Sequence, residues 1–407
     1  MALLLPVFTF ILLFVSYLFV IPANDGALEF MFANQWFRGD NMLQILSLHP
    51  PFKLILNSFF YKFFGYQSTG FIGLIFGIVG IVALYYIAKK LFDKRVALLS
   101  STLLATSGLY ISVGLFGIHD FLVAVLILVA FAFYINSRYA WYALFACIAV
   151  FTKETAIFFA LSILISDIFI KKNITFWTFT PIIILAWYIE FIHFAGYHLW
   201  NDWNFSSTAS KGSFYTMVNN LVTFQFLNKY AYENWLHLFI FNFNWVYWIF
   251  AIISFFSIKT KEMKKTLAPL CIYFVMFNLT VLSFQTFTIN RYVLPLLPFL
   301  YLFASYGVSK LKWKPVFITV LIVTSLLSLS QSVDPISNLI WPKTYILGEG
   351  IYLNHTLDGD DGITYNMQYL TMMKMRTDMI KKGDCSLPSL IRYDKKLLAL
   401  YQIHTCK

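Results

Sequence analysis

Asp25, Asp120, Lys153 and Arg291 sit at the edges of long apolar stretches, where a charge is costly unless it is paired or acts. A carboxylate held at such an edge can take a proton from an attacking hydroxyl. Ammonium and guanidinium groups in the same setting can hold a phosphate and stabilise charge that develops on it. Asp25 is the candidate base, and Glu29 stands one helical turn further on. His49, Lys53, Lys153 and Arg291 are candidates for the anion side, with Asp120 a further substrate contact. Each also has a plainer duty open to it. Asp25 and Asp120 could cap helices, and His49 could orient its loop. Lys153 could pair with its neighbour Glu154, and Lys53 and Arg291 could snorkel to the interface.

The elements that must position these residues are apolar spans. The 407-residue chain is 59% hydrophobic, 20% aromatic and only 12% charged, far more apolar than a soluble protein of that length. About eleven stretches approach the length that crosses a bilayer: 3–21, 70–87, 96–116, 121–134, 139–151, 156–170, 176–194, 236–257, 267–287, 292–308 and 316–329. The expected fold class is an all-α polytopic membrane protein. Its net charge of +11 is no footprint for nucleic acid, because the basic residues gather in alternate joints such as Lys89–Lys90, Lys171–Lys172 and Lys264–Lys265. The positive-inside rule makes those joints cytoplasmic and puts the candidate site residues on the other side. The first stretch lacks a basic n-region and a small-residue cleavage site, so it reads as a retained span.

The first external loop, 23–67, has two interfacial helices in its pattern. One covers 26–37; the other starts at Pro50-Pro51, ends at Gly65, and would rest Phe59, Phe60, Tyr61, Phe63 and Phe64 on the headgroup layer. A second external loop, 196–235, is long for a connection. The spans and these loops form a module over 1–331, followed by an external C-terminal region over 332–407. Asp358, Asp360 and Asp361 lack the spacing and closing Glu of a calcium loop and read as an acidic turn. Cys147 and Cys271 read as small core residues.

Five features occur in order. They are an acid after the first span, His49-Pro50-Pro51, Asp120 at the outer end of the third span, Thr152-Lys153-Glu154 at the outer end of the fifth, and the run from Arg291 to Pro298. Together they resemble the GT-C glycosyltransferases, most closely the protein O-mannosyltransferase and aminoarabinose transferase branch. The resemblance covers about 3–308, and it departs from the pattern where Gly26, not a second acid, follows Asp25. It implies a GT-C-like bundle that moves a sugar, with inversion, from a polyprenyl-phosphate donor to an acceptor hydroxyl on a glycan, lipid or protein. The work would be done on the non-cytoplasmic face of a bilayer, in a prokaryotic plasma membrane. Asp25 would be the base. The departing phosphate is already a good leaving group, so no second carboxylic acid is needed as in glycoside hydrolysis. A flippase or transporter of lipid-linked sugars is the competing reading, but transporters favour midplane charges and repeated halves. No Cys-x-x-Cys or His-Glu-x-x-His spacing occurs, so no zinc site is announced, and a divalent-metal requirement stays open.

An external address lets Cys385 and Cys406 form a bridge. It would close a loop of about twenty residues, for a stabilisation of about 3 kcal/mol on the chain-entropy view. Neither thiol should react with a membrane-impermeant maleimide until reductant is added; labelling of both without reductant would rule the bridge out.

Overall fold

The computed structural model describes residues 2–20, 50–117, 119–194, 222–224, 244–282 and 290–330, with 374 and 377–378. Among them the regular secondary structure is helical throughout.

The chain enters as α1 (Leu4–Val15), whose Leu4, Leu5, Phe8 and Leu12 face outward while Phe10 and Phe14 are buried. The buried pair lies against α3 (Ser68–Leu91), and glycines make the approach close enough. A Cβ on Gly77 would come within 2.2 Å of the Phe10 ring, and one on Gly73 within 2.1 Å of the Gly114 carbonyl. Between α1 and α3 comes α2 (Phe52–Phe64), bounded as its prolines and glycine demand: Pro51 stands at the N-cap, and Gly65, at φ 56°, ends it.

The third apolar stretch is broken into α4 (Lys94–Ala105) and α5 (Gly108–Leu115), bent by 53°. Polar side chains make the break. Ser107 caps α5 by accepting from the Tyr110 amide at 3.3 Å. Thr106 Oγ1 lies 2.9 Å from the Thr102 carbonyl and 2.6 Å from Ser325 Oγ. Next come α6 (His119–Tyr134), buried along nearly its whole length, and α7 (Tyr139–Thr152), which stacks Phe145 on Phe133 at 5.4 Å. After a 3-10 turn, Glu154–Ala156, α8 (Ile157–Ser166) runs into a π-turn, Asp167–Lys171.

The remaining helices are α9 (Phe176–Phe194), α10 (Asn244–Ser257), α11 (Lys261–Phe277), α12 (Leu297–Ser309) and α13 (Lys314–Ser330). Tyr188 of α9 packs on Phe151 of α7 at 5.3 Å, and Tyr273 of α11 on Phe159 of α8 at 5.5 Å. Gly307 lets α12 close onto α10, where a Cβ would lie 2.0 Å from the Phe250 carbonyl.

The expected spans therefore recur in order, but fewer of them are continuous than the hydropathy pattern implies. Among the described residues one helix, Ser68–Leu91, is long and apolar enough by itself to cross a membrane, and the bent pair α4–α5 passes the same test jointly. Where their ends are described, α7 stops at the extended Lys153, and α8 and α11 run on into π-turns. Cys147 and Cys271 are half-buried, not enclosed in the core as expected. The 26–37 helix, the second loop apart from 222–224, and the Cys385–Cys406 pair lie outside the described residues.

At one end of the bundle, side chains of α3, α6 and the π-turn gather. Tyr134 OH donates to Asp167 and receives from Lys171 Nζ at 2.9 Å. Tyr86 OH donates to Asn136 at 2.8 Å. The candidate functional residues collect at the other end.

Candidate functional site

Irregular backbone positions Asp120, Lys153 and Arg291. Gly117, at φ 59°, turns the chain from α5 into α6, and its position against Thr69 leaves no room for a side chain: a Cβ there would lie 3.0 Å from the Thr69 Cβ. That turn delivers His119 and Asp120 as the first residues of α6, where a carboxylate also suits the positive end of the helix dipole. Lys153 follows the last residue of α7 in extended conformation, φ −157° and ψ 130°, just before the 3-10 turn. Arg291 belongs to another 3-10 turn, Asn290–Val293.

These separate breaks bring their side chains together. Lys153 Nζ donates to Asp120 Oδ1 at 2.7 Å, and Arg291 Nε lies 3.6 Å from Asp120 Oδ2. The lysine and arginine side chains are 7% and 9% exposed and the carboxylate 3%, so water screens the pairs little. Tyr292 roofs both cations, with its ring centroid 4.7 Å from Lys153 Nζ and 5.3 Å from Arg291 Cζ. Burial works against the Lys153 charge, yet the Asp120 carboxylate, with Tyr292 and Glu154, outweighs it and holds the ammonium's pKa above the ordinary lysine value. Lys153 is thus a cation at any physiological pH.

From α2, Lys53 reaches the same place. It is 0% exposed, and its Nζ lies 3.4 Å from His119 Nδ1, which can accept when the ring proton is on Nε2. Lys53 does not snorkel, and Arg291 does not either. Asp120 does more than cap α6, and Lys153 pairs with Asp120 at hydrogen-bond distance. Among the described residues, three buried cations, Lys53, Lys153 and Arg291, gather here around Asp120 and His119.

Of the sequence candidates, Lys53, Asp120, Lys153 and Arg291 converge, while Asp25, Glu29 and His49 lie outside the described residues. His119 and Tyr292 join the cluster unforeseen, although each is the immediate neighbour of a candidate. No group of three or more His, Cys, Asp or Glu among the described residues could hold a metal ion.

Residues 24–356 match the model of a family described as predicted membrane protein (DUF2079). The chain belongs to this family. No curated protein matches it in sequence. Solved structures share its fold at low identity. ArnT from Cupriavidus metallidurans, bound to undecaprenyl phosphate, superposes with a TM-score of 0.57 at 13% identity, over 99% of this chain and 74% of that one. The Archaeoglobus fulgidus oligosaccharyltransferase in its apo form gives 0.53 at 13% identity, over 100% of this chain and 60% of that one. The same organism's oligosaccharyltransferase AglB, in complex with an inhibitory peptide and a dolichol-phosphate, gives 0.52 at 12% identity, again over 100% and 60%. This DUF2079 member is a membrane protein with the GT-C fold.

Proposed function

We propose that the chain is an inverting glycosyltransferase that moves a sugar from a polyprenyl-phosphate donor to an acceptor hydroxyl on the non-cytoplasmic face. The observation that carries this is the buried clamp of Lys153 and Arg291 on Asp120, with Lys53 beside it, at one end of a GT-C bundle. Two cations held side by side by one carboxylate are pre-organised for a phosphate. Their attraction strengthens as the phosphodiester becomes a monoester and gains charge. Asp120 is then a positioning residue that keeps the cations in place between donors.

Asp25 is the proposed base. Near the end of α1, a Cβ on Gly70 would lie 3.1 Å from the Leu18 carbonyl, and the adjacent Thr69 touches the Gly117 turn that precedes His119 and Asp120. Asp25 follows Val20 by five residues, or at most about 18 Å of extended chain, which supports a place for it on the same side of the bundle as the clamp. Lys374 donates to the Ser16 carbonyl at 3.2 Å, so that part of the C-terminal region meets the same end of the bundle. The opposite end carries Lys171, Lys89 and Lys90, and the positive-inside rule makes it cytoplasmic. Charges gathered at a rim, not at the midplane, favour chemistry over transport.

Purified protein given a panel of polyprenyl-phosphate sugars should release polyprenyl phosphate in the presence of an acceptor. Lys153→Met and Arg291→Met should each lower turnover by about one to two orders of magnitude, the loss of a charge-assisted contact worth roughly 1.5–3 kcal/mol. Wild-type turnover and donor binding in both variants would remove these residues from the site.

A further inference from the structure

We infer that Asn57 reads a hydroxyl of the transferred sugar and so helps to set donor specificity; this rests on the glycosyl-transfer reading above. The starting point is the inverted character of α2. Its aromatic face points outward, with Phe59 and Phe63 each 61% exposed, while Lys53, Asn57 and Ser58 are buried. Asn57 is only 1% exposed, yet among the described residues neither its Oδ1 nor its Nδ2 has a hydrogen-bond partner. Buried amides are normally satisfied at both ends, and leaving both unmet in mid-helix is destabilising. Asn57 differs from the other unmet buried groups in that both ends of one amide are open.

Helix geometry gives the location. Asn57 follows Lys53 by four residues, on the same face and about 6 Å further along the axis. Lys53 meets His119, and the next residue, Asp120, holds Lys153 and Arg291. Asn57 is therefore one helical turn beyond a cation of the proposed phosphate site, a reach that suits the sugar attached to that phosphate.

The chemistry of the amide selects among the donor's parts. A phosphate oxygen only accepts, so it would satisfy Nδ2 and leave Oδ1 unmet, and a polyprenyl chain would satisfy neither. A hydroxyl donates and accepts, and two neighbouring ring hydroxyls would satisfy both ends together.

The test compares wild type with Asn57→Leu in the purified full chain. Binding is measured for undecaprenyl phosphate and for its mannosyl, glucosyl, galactosyl and arabinosyl esters, with the thermal midpoint of each ligand-free protein. The expected result has three parts. Wild type binds at least one ester more tightly than the bare lipid phosphate. Asn57→Leu loses about tenfold in affinity for that ester and none for the lipid phosphate. Its ligand-free midpoint rises, because an unmet polar group has been replaced by an apolar one of similar size. The assignment to Asn57 is overturned if affinity falls equally for both ligands or for neither, if no sugar improves wild-type binding, or if the midpoint falls. A wild type that binds no undecaprenyl phosphate at all overturns the glycosyl-transfer reading itself and takes this inference with it.

Discussion

Asp25→Asn is expected to give a folded, donor-binding protein whose transfer rate is lower by roughly 10² to 10⁴, the range for loss of a general base. Asparagine separates the two duties open to this residue. It caps a helix about as well as aspartate, so a capping role predicts little change, but it cannot take the acceptor's proton. Turnover should be followed with donor binding measured in parallel, so that a loss of chemistry is not confused with a loss of affinity. Wild-type turnover in Asp25→Asn would end the base assignment and direct attention to Glu29. Asp120 is the weaker substitute, since one of its oxygens is bonded to Lys153 and the other faces Arg291.

Asp120→Leu should be the most damaging change to stability at the site. It leaves Lys153 and Arg291 buried without their shared counterion, and removing one partner of a buried ion pair typically costs about 3–5 kcal/mol. A lower thermal midpoint alone would not separate a counterion from a residue that simply packs well. The distinguishing measurement is the response to undecaprenyl phosphate. A ligand anion that replaces the lost carboxylate should raise the midpoint of Asp120→Leu by more than it raises that of wild type. Equal or smaller shifts in the variant would show that Asp120 is no stand-in for the ligand's charge.

Local chemistry made parts of this molecule legible in its sequence. Pro51 and Gly65 bound α2 because one residue has a fixed φ and the other tolerates a positive one, and neither property depends on tertiary context. The alternation of basic joints put Lys53, Asp120, Lys153 and Arg291 at a common end, and they do converge. Pairing was not legible. Lys153 and Glu154 are adjacent, but Lys153 is extended, and successive side chains of an extended backbone point to opposite sides. Its partner Asp120 lies 33 positions away, at a distance in sequence that only packing can close. The bend between α4 and α5 escaped for another reason. Hydropathy registers apolar length, whereas Thr106 and Ser107 interrupt the helix through hydrogen bonds that a mean hydropathy scarcely notices. Asn57 gave no signal at all, since an asparagine in an interfacial helix is expected to face water.

The inward polar face of α2 also sets an order of events during biosynthesis. Lys53 is made 66 residues before His119, its partner in the finished protein, and the Lys153–Asp120 pair is complete only when Lys153 has been added, about a hundred residues after Lys53. At a synthesis rate of ~5–20 residues per second, that interval lasts roughly 5–20 s. Throughout it α2 has a lysine and an asparagine with no bundle to enclose them, so it must wait in the wet surface layer of the membrane and dock once α6 and α7 are in place. The Lys53–His119 contact is thus made late, by a piece of the chain that left the ribosome early.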